Sequence, residues 1–520
     1  MQVEEFLEKS ARRFPDKTAL VCGNQRFSYS EADRLSSRFA NALVAHGVRR
    51  GDRVVVCLDN CGEAAFSIFG ILKAGAVFVM VDHTTKSERL HYILSDCGAT
   101  ALVLAAEKLE SVRGSLNALP DLHTVFLTNV KDGNAPAAGE QFFSLSHILD
   151  GTEFSDVAPP KKCIDADLAA LIYTSGTTGS PKGVMLTHLN MLSAAESVIS
   201  YLRNDSNDVI LNVLRLSYSY GLYQILTGFL VGGTVILERS VTYPYLLLEK
   251  IQKERVTAFP LVPTIAAMFL HYDLKQYDFS SLRYITSAGA ALPQQHARKL
   301  RELLPHVQIF IMYGQTECKR ISYLPPNQID IRPDSVGIAI PNEELYIIDE
   351  QGRRVDPGVV GELVVRGAHV MKGYWGLPEE SEKSLRPGPV PGEKVLHTGD
   401  LFRMDEEGYL YFVSRKDDII KTRGEKVSPK EVEDVLYSVE GVLEAAVVGV
   451  PDEVLGQSIK AVVTLREGFQ VSKQELLRHC AKHLEDFKIP RQIEFRAALP
   501  KTISGKIDRK ELRSPVETQA

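Results

Sequence analysis

Short apolar runs alternate with stretches of helical periodicity through the first ~400 residues, and this alternation predicts α/β architecture. "RVVVCL" (53–58), "AVFVMV" (76–81), "ALVLA" (101–105) and "TVFLT" (124–128) read as strands. Between the first two, "CGEAAFSIFGILKAG" has helical spacing and a Gly stop. Residues 168–173 form another buried run, and "VMLT" a second strand before His188 and Asn190 open a helical pattern. From about residue 336 the texture changes: "EELYIIDE", "GELVVRG" and "GYLYFVSR" are short alternating strands with Gly and Asp–Glu–Gly turns, a β-rich region closing the large domain. The pattern then resets. A helix starting at Ser428–Pro429 leads to "LEAAVVGV", "SIKAVVTL", the helix "SKQELLRHCAKHL" and a final "QIEFRA", an α+β unit of about 100 residues.

The 520-residue length exceeds what one hydrophobic core serves. The expectation is a large, multi-subdomain α/β domain over residues 1–416 and a small α+β domain over 417–520. Residues 216–237 carry no charge, but Ser217, Ser219, Gln224, Thr227 and the pair Gly232–Gly233 interrupt them. They read as a buried helix followed by a core strand, not a membrane span. A formal net charge of -6 gives no electrostatic case for nucleic acid. The charged, amphipathic N-terminus is not a signal peptide. The seven cysteines, at 22, 57, 61, 97, 163, 318 and 480, include no CxxC pair, which argues against a zinc site or disulfide framework and for a reducing, cytoplasmic setting.

The densest chemistry lies in "YTSGTTGSPKGVMLTH" (173–188). A loop this rich in Gly can turn its backbone N–H groups inward as an anion nest. The hydroxyls of Thr174, Ser175, Thr177, Thr178 and Ser180, with the Lys182 ammonium, add donors that suit a polyphosphate. It is not a Walker A loop, because Lys182 precedes Gly183 where that motif has Ser or Thr after the Lys. Neither a GxGxxG fingerprint nor a GxSxG nucleophile elbow occurs.

Four further stretches follow in order: "YGQTE" (313–317), "HTGDL" (397–401), "SRKDDIIKTRGEKVSP" (414–429) and "PKTISGKIDRKEL" (500–512). Together the five resemble the ordered motifs of the adenylate-forming superfamily, which comprises acyl- and aryl-CoA synthetases, non-ribosomal peptide adenylation domains and luciferases. The resemblance covers essentially the whole chain. It implies that a carboxylic acid attacks the α-phosphate of ATP to give an acyl-adenylate, whose acyl group passes to a thiol. That thiol would be coenzyme A or, as the alternative, the phosphopantetheine of an acyl or peptidyl carrier protein acting in trans. A non-catalytic nucleotide-binding protein on the same fold would lack Glu317 or Lys506, and both are present.

By the same resemblance, Thr174, Ser175, Gly176, Thr177, Thr178 and Lys182 hold the phosphates, and Glu317 carries Mg²⁺. Tyr313 stacks on adenine, the small residues Gly289, Ala290 and Ala291 of "SAGAALP" let the backbone approach the nucleotide, and Asp400 assisted by Arg415 takes the ribose hydroxyls. His397 reads as a packed histidine, since an ionised nucleophile needs no base. Lys506 bridges the acid and the α-phosphate. Asp417 is the hinge about which the small domain rotates, presenting Lys421 and Gly424 beside the thiol tunnel. Lys501 and Lys510 read as solvated charges. Ser414 departs from the family's usual Gly. Tyr218, Ser219, Tyr220 and Tyr223 are expected to line the acid pocket, and the absence of any acidic residue from 216–237 speaks against a free α-amine on the substrate. An aromatic or medium-sized acyl group is favoured. Lys319 and Arg320 are expected as exposed charges, with complementing a second anionic group as the sharper reading.

Overall fold

The apolar runs near the N-terminus become neighbouring parallel strands: Arg53–Cys57 lies between Val77–Met80 and Ala99–Ala105, and Thr124–Thr128 follows outside. Their residues are buried on both faces, so the runs are continuous rather than alternating. Leu168–Thr174 joins in parallel with Val77–Met80 and then pairs antiparallel with Lys182–Thr187, on whose far side Gly373–Tyr374 pairs antiparallel. Phe142–Ser144 closes the other edge of this eight-stranded sheet. The structure, a computed structural model, describes residues 1–116, 118–130, 141–174, 181–423, 425–452, 454–501 and 507–513.

A nine-stranded sheet has a parallel core in the order Gln308–Tyr313, Tyr284–Ser287, Ala258–Leu261, Val209–Asn212, Thr234–Leu237, Thr18–Cys22. Antiparallel strands Ser322–Leu324, Ile338–Ala339 and Gln25–Ser28 complete its edges. The carboxyl ends of the parallel strands release the segments that carry Tyr218–Tyr223, Gly289–Ala291 and Tyr313–Arg320. Open α/β sheets gather ligands at that edge. The uncharged stretch resolves as expected into helix Ser219–Val231 and strand Thr234–Leu237, and among the described residues no helix is long and apolar enough to cross a membrane.

Two compact units divide the chain: Met1–Glu344 with Val365–Leu396, and Leu345–Val364 with His397–Ala520. Both large sheets belong to the first. In the second, Val442–Asp452 and Gly456–Leu465 form a long antiparallel ribbon, extended by Ile420–Thr422, Glu425–Val427 and Gln492–Phe495 into a five-stranded sheet. Helices Pro429–Tyr437 and Lys473–His483 bury Val432, Leu436, Leu476 and Cys480 against it. Residues 400–404 pair with 410–415 in the same unit. Division by compactness therefore falls upstream of residue 417, which sits in the short turn Lys416–Asp418.

Helix His188–Leu202 starts directly after strand Lys182–Thr187, and its start is set by a reciprocal cap. Asn190 N–H donates to Thr187 Oγ1 at 3.1 Å, and Thr187 N–H to Asn190 Oδ1 at 2.9 Å. Thr187→Ala removes one half of this box and should cost about 1 kcal/mol. A lower urea midpoint at unchanged slope is the expected outcome, and an unchanged midpoint contradicts it.

Candidate active site

Thr174 and Lys182, on either side of the Gly-rich stretch, stand opposite each other where strands Leu168–Thr174 and Lys182–Thr187 pair. Ser175, Gly176, Thr177 and Thr178 lie outside the described residues. Lys182 Nζ is 2.5 Å from Glu380 Oε2 and 5.3 Å from the centre of the Tyr374 ring. Hydrogen bonds from Lys182 and Lys383 hold the Glu380 carboxyl down at about 2. The Tyr374 hydroxyl in turn donates to Glu317 Oε1 at 2.8 Å, and Met371 N–H donates to the Glu317 carbonyl at 2.7 Å. Burial and the Glu317 charge push the Tyr374 phenol well above its ordinary range, so it stays a donor. Lys182 and Glu317, the lysine expected at the phosphates and the carboxylate expected at a cation, are thus linked through one tyrosine.

Glu317 sits on a turn leaving strand Gln308–Tyr313. Gly314 is required there, since a Cβ would stand 2.5 Å from the Lys319 carbonyl oxygen and 2.9 Å from Arg320 Cα. Tyr313 is partly exposed and its hydroxyl accepts from Gln315 Nε2 at 3.3 Å. One strand over, Gly289 takes a φ of 89° beyond Tyr284–Ser287, and with Ala290 and Ala291 it is exposed, leaving backbone open to a ligand.

Tyr218, Ser219 and Tyr220 are partly exposed at the start of helix Ser219–Val231, whereas Tyr223 is 2% exposed. The Tyr220 hydroxyl is anchored on Thr286, 2.7 Å from Oγ1 and 2.9 Å from the carbonyl oxygen. Lys319 and Arg320 correct the expectation of exposed charges: they are 5% and 3% exposed. Lys319 Nζ donates to the Ser219 carbonyl at 2.7 Å and lies 4.4 Å from the Tyr223 ring centre. Burial, with Arg320 beside it, holds the Lys319 ammonium well below the usual lysine range.

The second unit carries its own set. Asp400 and Arg415 face each other across paired strands, with Arg415 Nε 3.0 Å from Asp400 Oδ1. Asp400 is 4% exposed, and its N–H donates to Thr398 Oγ1 at 3.1 Å. His397 packs 3.6 Å from Glu362, which Lys416 also reaches at 3.3 Å. Asp417 is exposed, as is the Lys421 side chain, while Lys421 N–H donates to Gln457 Oε1 at 2.8 Å. Lys501 pairs with Glu444 at 2.7 Å and Lys510 is exposed. Gly424 and Lys506 lie outside the described residues. Sequence reasoning missed Tyr374, Glu380 and Glu362, because each meets its partner from a segment distant in the chain and leaves no local spacing to read.

Burial alone would raise Glu362, but His397 and the Lys416 charge beside it, with the Gly399 N–H that donates to it, bring it down to about 2. An unfolded Glu titrates near about 4.3, so the folded value is the lower one and the stabilisation is present above about pH 4.3 and lost as pH falls toward 2. Glu362→Gln should therefore melt below wild type at neutral pH. The gap should narrow steadily under acid from about pH 5 to about pH 3. A gap independent of pH contradicts this account of Glu362.

Two family models match the chain, AMP-binding enzyme over residues 7–375 and AMP-binding enzyme C-terminal domain over residues 431–506. A long-chain-fatty-acid–CoA ligase of Bacillus subtilis (strain 168) is 32% identical over 535 residues, covering 98% of this chain and 94% of the relative. A feruloyl-CoA synthase of an Amycolatopsis species is 35% identical over 509 residues, covering 97% of each. Among solved structures, the anthranilate CoA ligase AuaEII in complex with anthranoyl-AMP superposes with a TM-score of 0.88 at 29% identity, covering 99% of this chain and 96% of that one. These relatives act on coenzyme A by name, and the carrier-protein alternative finds no support among them. The chain belongs to the AMP-binding enzyme family, within the adenylate-forming superfamily, and is an AMP-forming carboxylate–thiol ligase.

Proposed function

We propose that the enzyme converts a carboxylic acid without a free α-amine to its acyl-adenylate and passes the acyl group to coenzyme A. The observation that carries the reading is the link from Lys182 through Tyr374 to Glu317, which sets a phosphate-binding lysine and an oriented carboxylate around one loop. The acid's carboxylate oxygen attacks the α-phosphorus of ATP and pyrophosphate leaves. The hydroxyls of Thr174, Ser175, Thr177 and Thr178, with Lys182, would hold the departing phosphates, because phosphoryl transfer is stabilised chiefly by positioned charge. Tyr313 and Gly289–Ala291 would bind adenine, and Asp400 with Arg415 the ribose hydroxyls. Glu317 suits Mg²⁺, a hard cation that takes few protein oxygens beside phosphate, and the bound ion supplies charge neutralisation there. The thiolate then attacks the acyl carbonyl and AMP leaves. Seven free cysteines suit the cytoplasmic setting we assign it.

Pyrophosphate exchange across a panel of acids, followed by thioester formation with coenzyme A, tests the reading. A free α-amino acid giving the highest kcat/KM contradicts it. Within that scheme Lys506 serves only the first step and Asp417 the change between steps. Lys506→Ala should lose at least about 100-fold in adenylation, roughly 3 kcal/mol, while still forming thioester from supplied acyl-AMP. Asp417→Pro, which locks φ at the hinge, should do the reverse. Equal loss of both half-reactions in Lys506→Ala contradicts the division of labour.

A further inference from the structure

Lys319 and Arg320 follow each other in the chain, yet both reach the same aromatic ring. Lys319 Nζ is 5.5 Å and Arg320 Cζ 5.2 Å from the centre of Tyr220. Side chains adjacent in an extended segment point to opposite sides. Here Lys319 takes the left-handed conformation, with φ 64°, and the chain turns both cations toward Tyr220. A non-glycine residue held there costs about 1 kcal/mol or more, a strain that persists only where the surroundings enforce it.

Among the described residues the two side chains meet no carboxylate. Neither is ion-paired among the described residues, and Arg320 Nε is a buried donor with no hydrogen-bond acceptor. The carboxylates that act on the neighbouring tyrosines are committed elsewhere, and Glu317 accepts from Tyr374. Asp82, which acts on Tyr218, is ion-paired with Arg215. Glu343, which acts on Tyr201 beside Arg320, faces His369 at 2.9 Å, and burial pushes that carboxyl up toward its neutral form. Arg320 keeps its charge at any physiological pH, and a buried charge without a counter-charge is costly. A third positive feature adds to the pair: helix Ser219–Val231 begins at Tyr218 with no side-chain cap, and Lys319 is fastened to its first residue through the Ser219 carbonyl. Helix N-termini favour anions. Ser217 Oγ, just before the helix, is another buried polar atom without a partner.

We propose that Lys319, Arg320 and the start of helix Ser219–Val231 form an anion subsite in the acyl pocket, so that the acid this enzyme activates carries a second anionic group, a carboxylate, besides the one that is adenylated. The inference rests on the proposed function, in which the same helix start lines the acid pocket. Lys319, whose ammonium burial disfavours and a bound anion would restore, donates to the Ser219 carbonyl with one N–H and keeps the others for a ligand, and Arg320 offers its unpaired Nε–H. The second carboxylate stays unchanged through both half-reactions.

The test compares dicarboxylic acids with their uncharged monoamides in pyrophosphate exchange by the full-length enzyme: glutarate, adipate and terephthalate, each beside its monoamide, with hexanoate and benzoate as plain acids. For at least one matched pair wild type should favour the dianion by about tenfold or more in kcat/KM. Lys319→Met and Arg320→Gln should each collapse that ratio, chiefly through KM, while Lys319→Arg retains most of it. A wild-type enzyme that uses plain acids or monoamides as well as every dianion overturns the subsite and leaves the ligase reading standing. Failure of exchange with every acid, dianionic or not, overturns the ligase reading, and the subsite with it. Because the decisive ratio is read on wild type, a variant that fails to fold does not spare the proposal.

Discussion

The proposed phosphate site depends on the hydrogen bond that Tyr374 donates to Glu317 at 2.8 Å. Glu317 hangs from the carboxyl end of a strand in one sheet, and Tyr374 belongs to a two-residue strand at the edge of the other. That short strand is in register with strand Lys182–Thr187, Tyr374 opposite Val184 and Gly373 opposite Met185. A carboxylate and an ammonium left free at such range would neutralise each other and neither would serve a ligand. Instead Lys182 is taken up by Glu380, while Glu317 keeps an oxygen with no partner among the described residues.

The parts of this arrangement legible in the sequence are those in which one segment carries its own signal. Strands at 53–57 and 124–128 announce themselves because both faces are buried, and 216–237 divides at Gly232–Gly233 because the uncharged run contains its own breaker. The loop at 174–182 and the turn at 313–317 declare their chemistry by residue type. Tyr374 and Glu362 do not: Glu362 meets His397 across paired strands, and Tyr374 meets Glu317 from the edge of a different sheet, so neither leaves a local spacing to read. The charges at 319 and 320 misled in the opposite sense. A Lys–Arg pair reads as solvated surface by composition, and only the left-handed φ at Lys319, invisible in the sequence, turns both inward. The compact units likewise depart from a single cut at 417, because residues 345–364 return to the second unit from far upstream.

Electrostatics at the head of helix Ser219–Val231 gives the proposed acid pocket a consistent sign. Residues 216–237 supply no acidic side chain for an ammonium, the helix presents its positive end, and two buried cations stand beside Tyr220 and Tyr223. Every one of these terms opposes a cationic substituent on the substrate. The aromatic rings that flank the cations stabilise them in the absence of ligand, each such contact contributing about 0.5–2 kcal/mol. This is enough to keep the pair folded inward and too little to replace a counter-ion.

The central claim is that a carboxylate oxygen attacks the α-phosphorus of ATP and departs with AMP when the thiol takes the acyl group. Labelling both carboxylate oxygens of a substrate acid with oxygen-18, then analysing the products of a complete turnover with ATP and coenzyme A by mass spectrometry, tests it at the atom concerned. The account predicts AMP and pyrophosphate as products, one labelled oxygen in the AMP phosphate, and the other retained in the thioester carbonyl. ADP with labelled inorganic phosphate, or AMP without label, would contradict it.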